Sequence, residues 1–217
     1  MGSQRLILVD GSGYIFRAFY ALPPMSREDG TPVNAVFGFT SMLLKLSEDM
    51  EGENILVVFD AARTTFRNAI YKEYKANRSE PPEELVPQFD LIKKATTAIG
   101  LKSLEVENYE ADDIIATYVK IAKKENIETV VISSDKDLMQ LIQDGVSLYD
   151  PMKNIKIGPE AVLEKFGVSP DKVIDVQALA GDSSDNVPGV PGIGVKTASQ
   201  LINEYGSLEK LLDNASS

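Results

Sequence analysis

Residues 129–137 read TVVISSDKD, an apolar run that stops at two aspartates, Asp135 and Asp137. Continuous apolarity over so few residues marks a strand buried on both faces, as in a parallel sheet. Two other stretches read the same way: LILV at 6–9, followed by Asp10, and ILVVF at 55–59, followed by Asp60. The β-prone runs are Arg5–Val9, Asn54–Phe59, Leu104–Val106, Thr129–Ser133 and Val146–Tyr149. Helical segments fall between them. Asn34–Met50 carries Val36, Phe37, Met42, Leu43, Leu46 and Met50 at roughly helical spacing, Glu84–Ile99 follows, and Ala111–Glu125 directs Ile114, Ile115, Tyr118 and Ile121 inward. Strands alternating with helices predict the α/β class, with a mainly parallel central sheet flanked by helices.

Working outward, the texture changes near residue 159. Pro159–Phe166, Pro170–Ala180, Val195–Tyr205 and Ser207–Leu212 read as short helices, interrupted by NVPGVPGIG at 186–194, which cannot continue a helix. An α/β core over 1–158 and a helical region over 159–217 are expected. The chain has 217 residues, 43% of them hydrophobic and 25% charged, which suits a normal core. It has no cysteine and no histidine, so disulfides, thiolate metal sites and imidazole general bases are excluded, and any catalytic metal must sit on oxygen, as Mg²⁺ or Mn²⁺ would. The apolar run near the N-terminus is too short for a signal peptide, and no stretch reaches the length of a membrane span. The default expectation is a cytoplasmic protein with no membrane partner.

The carboxylates fall in a pattern. Asp10, Asp60 and Asp135 follow three separate strands, Asp137 lies two residues further on, and Glu110, Asp112 and Asp113 open a helix. In parallel α/β sheets ligands bind beyond the carboxyl ends of the strands. Asp182 and Asp185, three apart in GDSSDN, add a further pair. Taken singly, each has a local explanation: Asp10 and Asp137 as helix N-caps, Asp182-Ser-Ser-Asp as a turn, the Glu110 group as dipole partners. Taken together, such a set would repel itself unless cations compensate. It suits two-metal phosphoester hydrolysis, with two or more Mg²⁺ ions, replaceable by Mn²⁺. Setting these nine acids aside leaves 24 acidic against 22 basic residues, so the net charge of −11 largely resides in them.

Two further segments point to a polyanion. Between Arg63 and Arg78 the local charge is +4, with Arg63, Arg67, Lys72, Lys75 and Arg78 against Glu73 alone. The spacing of Lys72, Lys75 and Arg78 predicts a helix with its cations along one side, and Tyr71 and Tyr74 offer faces for base stacking. The second is PGVPGIGVKTA at 188–198, where Gly192 and Gly194 let a backbone approach a phosphate and Lys196 sits in the first turn of the following helix. Such contacts position a duplex without reading its sequence.

These motifs carry a resemblance. LILVDGSGYIFRAFYAL, VVFD, YKEYKANR, YEADDIIAT, ISSDKDL and ALAGDSSDNVPGVPGIGVKTA follow one another across nearly the whole chain. In this the chain resembles the N-terminal 5′ nuclease domains of the bacterial DNA polymerase I family, within the flap endonuclease superfamily, whose fold is PIN-like. The resemblance implies a 5′–3′ exonuclease and flap endonuclease that leaves 5′-phosphate and 3′-hydroxyl ends in DNA replication and repair, removing primers and processing Okazaki fragments. It implies that Glu110, Asp112, Asp113 and Asp135 hold or border a first metal, that Asp137, Asp182 and Asp185 favour a second, and that Asp10 and Asp60 act largely through water. It implies that the region at about 63–90 is a basic helical arch, in which Lys75 and Arg78 contact the scissile phosphate and Tyr74 stacks on a base, with Arg17 nearby. The region at about 182–206 would be a helix–hairpin–helix motif gripping duplex DNA through Gly192, Gly194 and Lys196, with K⁺ at the hairpin. The expected partner is DNA with 5′ flaps, nicks or RNA primers. The chain is expected to act as a monomer, fused to or working beside a DNA polymerase, with no polymerase activity of its own and with part of the helical base absent.

Other acid-based phosphotransfer classes fit less well. A haloacid dehalogenase-type phosphatase expects a DxD at the first strand end, where Asp10 is followed by Gly-Ser-Gly. A Toprim domain expects glutamate at that point, although Asp135-Lys-Asp137 imitates its DxD. Neither accounts for the hairpin. A DNA-binding fragment without turnover is the non-enzymatic alternative.

Overall fold

A computed structural model describes residues 5–51 and 53–215. The N-terminal lead and the chain end, on which the readings of leader and terminus fall, lie partly outside them. The chain divides into two compact units. One runs up to Thr65 and resumes at Ser79–Ser134; the other comprises Phe66–Arg78 and everything from Asp135 onward.

The first unit contains β1 (Leu6–Asp10), α1 (Gly11–Ala21), α2 (Asn34–Asp49), β2 (Asn54–Val58), α4 (Val86–Ala98), β3 (Lys102–Leu104), α5 (Ala111–Lys124) and β4 (Thr129–Ile132). The strands run in the order β3-β2-β1-β4 and pair in parallel, with Leu6 opposite both Asn54 and Thr129. Ile7, Leu8, Val9, Val57, Val58, Val131 and Ile132 are fully buried, so the continuously apolar runs do form the doubly covered strands that they predict. The β3 segment starts two residues earlier than expected.

Helical faces needed correction. On α2 the inward residues are Ala35, Phe39, Leu43 and Leu46, whereas Phe37 is exposed. On α5, Val119 and Ala122 join Ile114 and Ile115, and Ile121 points outward. Both errors arise because a run of apolar residues is wider than the stripe a helix can bury. Helix α1 is not among the helical segments expected from the sequence, although the N-cap reading of Asp10 allows for it. Gly11 is needed for clearance, since a Cβ there would lie 2.5 Å from the Phe59 ring and 2.8 Å from the Val58 carbonyl oxygen.

Helix α2 has no side chain of its own capping its first turn. The cap comes from α4. The fully buried Gln88 accepts from the Ala35 and Val36 amides at 2.8 and 3.1 Å, and donates to Asn34 Oδ1 and the Glu84 carbonyl, both at 2.9 Å. All four polar capacities of this amide are met by a helix end.

The second unit contains α3 (Phe66–Ile70), β5 (Val146–Asp150), β6 (Ile155–Ile157), α6 (Pro159–Phe166), α7 (Val173–Ala180), α8 (Val195–Tyr205) and α9 (Leu208–Ala215), with single 3₁₀ turns at Asp137–Leu141 and Pro170–Lys172. Strands β5 and β6 form an antiparallel hairpin, Leu148 facing Ile157. The expected helix over the basic stretch does not form. Beyond Ile70 the backbone makes successive turns, Tyr71 to Tyr74, Glu73 to Ala76 and Lys75 to Arg78, and Lys75 takes a left-handed φ of 55°. Helix α8 packs Ala198 and Ile202 inward, and Asn203 Nδ2 donates to the carbonyl of Gly167, the left-handed residue that ends α6.

No helix among the described residues is long and apolar enough to cross a membrane.

Candidate functional site

Five of the nine singled-out carboxylates belong to the first unit and four to the second. In the first, Asp10 closes β1 and is buried; its Oδ1 accepts from the Gly13 amide at 3.3 Å, and Oδ2 accepts from Ser133 Oγ at 2.8 Å. It is therefore the N-cap of α1, as one of its two readings anticipates. Asp60 lies exposed just past β2. Its Oδ1 accepts from the Ala111 amide at 2.8 Å, at the start of α5, and its Oδ2 accepts from Ser12 Oγ, at the start of α1. One side chain thus ties together two helix N-termini and the end of a third element. Glu110 is buried, and Asp113 Oδ2 accepts from the Glu110 amide at 3.1 Å. Asp112 and Asp113 stand in the first turn of α5, where the helix dipole favours negative charge. Arg17 lies on α1, partly exposed.

In the second unit, Asp135 Oδ1 accepts from the Asp137 amide at 2.8 Å. Asp137 therefore does not act as a helix cap itself; its Oδ1 accepts instead from Gln177 Nε2 on α7 at 2.5 Å. Burial raises the Asp137 pKa, and the charge of Asp135 adds to this, against the opposing effect of the Gln177 bond. Asp182 shows the reverse balance. Burial would raise its pKa, but the Lys136 ammonium at 2.6 Å and the Ser184 hydroxyl and amide outweigh it and bring the carboxyl down to about 2. Burial likewise works against the Lys136 cation, yet Asp182, Asp137 and Asp135 together hold its pKa above the usual lysine value.

Asp185 is surrounded by the basic turns. Its Oδ2 accepts from the Tyr74 hydroxyl at 3.1 Å and lies 3.7 Å from Lys75 Nζ, while its Oδ1 takes the Arg78 guanidinium. The loop bearing Asp182 and Asp185 is closed by a small antiparallel bridge, Asp182 N to the Val187 carbonyl at 2.9 Å and Val187 N to the Asp182 carbonyl at 2.8 Å. Below it, Gly181 and Gly189 meet backbone to backbone: a Cβ on Gly189 would lie 2.3 Å from the carbonyl carbon of Ala180.

The hairpin that follows has a different character. Gly192 (φ 83°) and Gly194 are exposed, and a Cβ on either would meet nothing within 4 Å. Gly194 has ordinary backbone angles, φ −95° and ψ 177°, and no side chain caps the α8 N-terminus that it begins. Its lack of a side chain thus serves neither packing nor strain inside the chain. Lys196 is exposed in the first turn.

The acids are suited in chemistry to a hard divalent cation, being oxygen donors on firm elements in a chain without histidine or cysteine. As they stand, no three of them among the described residues are drawn close enough to enclose an ion; their oxygens are engaged by amides, hydroxyls and the chain's own cations. Ser12, Ser133, Lys136, Gln177 and Ser184 are the partners that sequence reasoning missed. Ser12, Lys136 and Ser184 were detectable as polar neighbours inside GSG, DKD and GDSSD; Gln177, in the middle of an apolar helix, carried no local signal.

Comparison with known proteins supplies the remaining context. Residues 5–167 match the model of the 5′–3′ exonuclease N-terminal resolvase-like domain, and residues 168–217 match that of the 5′–3′ exonuclease C-terminal SAM fold. DNA polymerase I of Rhizobium leguminosarum is 54% identical over 98% of this chain, which spans 22% of that relative's length. Among solved structures, a bacteriophage T5 5′-exonuclease with bound divalent zinc superposes with a TM-score of 0.80 at 26% identity, covering 97% of this chain and 79% of the other. A T5 flap endonuclease in a pseudo-enzyme–product complex with DNA and metal ions gives 0.79 at 25% identity, covering 97% and 78%. The chain belongs to the 5′–3′ exonuclease family, in the branch found in bacterial DNA polymerase I, and shares its fold with the flap endonucleases.

Proposed function

We propose that the chain is a metal-dependent 5′–3′ exonuclease and flap endonuclease acting on DNA, cutting phosphodiesters to leave 5′-phosphate and 3′-hydroxyl ends. The observation that carries the reading is the oxygen-only set of nine acids on strand ends, helix starts and a braced loop, in a chain of this family. Glu110, Asp112, Asp113 and Asp135 would hold or border one Mg²⁺ ion, Asp137, Asp182 and Asp185 a second, with Asp10 and Asp60 acting through water. Bound ions of this kind supply Lewis acidity at a phosphate and a nucleophile at neutral pH, which a chain without histidine otherwise lacks. The protein's own groups then do the positioning. Lys75 and Arg78 neutralise charge at the scissile phosphate, Tyr74 offers its ring to a base, and Arg17 adds a cation near the strand. The capless α8 terminus, Gly192, Gly194 and Lys196 grip the duplex backbone, with K⁺ as a further ligand of the hairpin. The T5 complex with DNA and metal ions supports this direction.

The chain spans about a fifth to a quarter of the length of the curated relatives it matches. Primer removal and Okazaki fragment processing beside a polymerase are therefore proposed for the longer setting of this nuclease part. A 5′-labelled flap duplex with Mg²⁺ tests the activity: endonucleolytic release of the flap is expected, abolished by EDTA and by Asp113→Asn. Cleavage that survives both, or binding in Ca²⁺ without turnover in Mg²⁺ or Mn²⁺, would overturn the enzymatic reading.

A further inference from the structure

The two segments that carry Asp137 and Asp182 are not held alike. Asp182 sits in a loop with many anchors. Lys136 Nζ lies 2.6 Å from its Oδ2, the Ser184 amide donates to its Oδ1 at 2.8 Å, and the Asp182–Val187 bridge closes the loop. A seam also joins this loop to residues 73–78. There the Lys75 amide donates to the Asp185 carbonyl at 2.9 Å, Asn77 Nδ2 to the Ser183 carbonyl at 2.8 Å, and Asn186 Nδ2 to the Glu73 carbonyl at 2.7 Å. Asp137 has far less. Its backbone is fixed in the 3₁₀ turn, where its amide donates to Asp135 Oδ1 and its carbonyl accepts from Gln140 Nε2, both at 2.8 Å. Among the described residues, the one hydrogen bond to its side chain comes from Gln177 Nε2, at 2.5 Å on Oδ1.

That side chain needs a tether. Asp135 and Asp182 repel it, Lys136 attracts it, and none of the three fixes its rotamer by a hydrogen bond. Gln177 can do so because its own position is fixed twice over. Val173, Val176 and Leu179 bury one side of α7, and the Gln177 carbonyl accepts the Gly181 amide at 2.8 Å where the helix ends. The residue that follows is Asp182. Gln177 therefore holds the Asp137 side chain through its amide and the start of the Asp182 loop through its carbonyl. A carboxylate offers about four lone-pair positions, so a single N–H on Oδ1 leaves room for an ion on either oxygen. We infer that Gln177 is a positioning residue: it fixes the orientation of Asp137, relative to the Asp182 loop, for the divalent ion that these acids would share. The inference rests on the metal-dependent reading given above. Hydrogen-bond donors that orient a metal ligand in this way carry about 10- to 100-fold in metal affinity.

Mn²⁺ binding to the whole chain, followed by electron paramagnetic resonance, tests the inference. Asp137→Ala should lose or weaken one Mn²⁺ site. Gln177→Met keeps the length of the side chain and removes its donor; it should weaken the same site about 10- to 100-fold. The double variant separates positioning from mere structural support. Asp137→Ala/Gln177→Met should bind Mn²⁺ no worse than Asp137→Ala, because the route through Asp137 is already cut. Equal weakening by Gln177→Met in both backgrounds would overturn the inference. So would a folded Gln177→Met chain with unchanged affinity; either result leaves the metal-dependent reading standing. If Gln177→Met does not fold, NMR of the unaltered chain with diamagnetic Ca²⁺ decides. The Gln177 side-chain amide signals should then shift in step with Ca²⁺ occupancy, and signals unmoved at saturation would overturn the positioning role. Asp137→Ala binding Mn²⁺ like the unaltered chain would remove Asp137 as a ligand and the inference with it. No Mn²⁺ binding to the folded chain would overturn both the inference and the metal-dependent reading.

Discussion

Two glycines in the same segment should respond to the same substitution in opposite ways. At Gly189 a new Cβ would lie 2.3 Å from the Ala180 carbonyl carbon, 2.5 Å from its oxygen and 2.5 Å from the Gly181 nitrogen. All three are backbone atoms, so no rotamer change relieves the clash. Ordinary contact needs about 3.4 Å or more, so one wall must retreat by roughly 1 Å. The wall that can move is the loop bearing Asp182 and Asp185, which is held by Val190 N to the Leu179 carbonyl at 2.8 Å and by the Asp182–Val187 bridge. Overpacking of this kind costs about 1–3 kcal/mol. A 1 Å displacement of positioning groups lowers turnover by a further factor of about 100. Gly194→Ala is the matched control: its Cβ meets nothing within 4 Å and its φ of −95° suits alanine. Its folding cost should stay below about 1 kcal/mol, the scale of an exchanged N-cap residue. Urea melts of both variants give the stabilities, and flap cleavage under single-turnover conditions, with duplex affinity in Ca²⁺, gives the functional consequences. Gly189→Ala should lose stability and turnover; Gly194→Ala should keep its melt and lose duplex affinity. Equal stability losses, or a Gly194→Ala protein with unchanged affinity, would refute the distinction between a glycine kept for internal contact and one kept for an external backbone.

Other outcomes follow from single contacts. Gln88→Leu leaves the Ala35 and Val36 amides buried without their acceptor, and should destabilise the chain by about 2–4 kcal/mol in urea melts at unchanged m-value; a loss below about 1 kcal/mol would contradict a cap supplied by α4. The Asp182 carboxyl is lowered from 3.8 to about 2, so its contribution to stability is complete above pH 4 and lost as pH falls towards 2. Lys136→Met should flatten that acid-sensitive loss of stability in EDTA, read from melts at pH 6 and pH 2.5; an unaltered pH dependence would show that the pair does not set the carboxyl. Metal that binds only the folded chain should raise its melting temperature, by the equivalent of about 2.7 kcal/mol at a hundredfold excess over Kd, so equal melts in EDTA and in millimolar Mg²⁺ would contradict a native carboxylate site.

The parallel sheet was legible because its information is local. A run such as LILV needs both faces covered whatever surrounds it, and the carboxylates that follow inherit their place from the strand end. Only the N-cap reading of Asp10 pointed to α1, whose first residue, Gly11, clears Phe59, a residue remote in sequence. The basic stretch misled for a related reason. Its i, i+3 spacing is helical, but the contacts that decide its backbone come from Ser183, Asp185 and Asn186, more than a hundred residues away in the chain. The acids themselves were readable as chemistry, while their present partners were not: Gln177 and Ser133 reach Asp137 and Asp10 only through tertiary structure.

The seam between residues 73–78 and 183–186 also bears on the order in which the chain can fold. Strands β1 to β4, with α1, α2, α4 and α5, are all synthesised before Asp135, so the first unit can close early around its parallel sheet. Residues 66–78 emerge within that same span but belong with a partner made only after residue 180. During synthesis they form an undocked loop, open at both sides, whose anchors Asn77, Asn186 and Asp185 meet only after a loop of over a hundred residues has closed. Docking of this loop is thus a late step that reports synthesis of the Asp182–Val187 loop. A nascent or clipped chain ending before Gly181 would keep its basic turns exposed to proteases, which would selectively remove chains lacking the Asp182 and Asp185 loop.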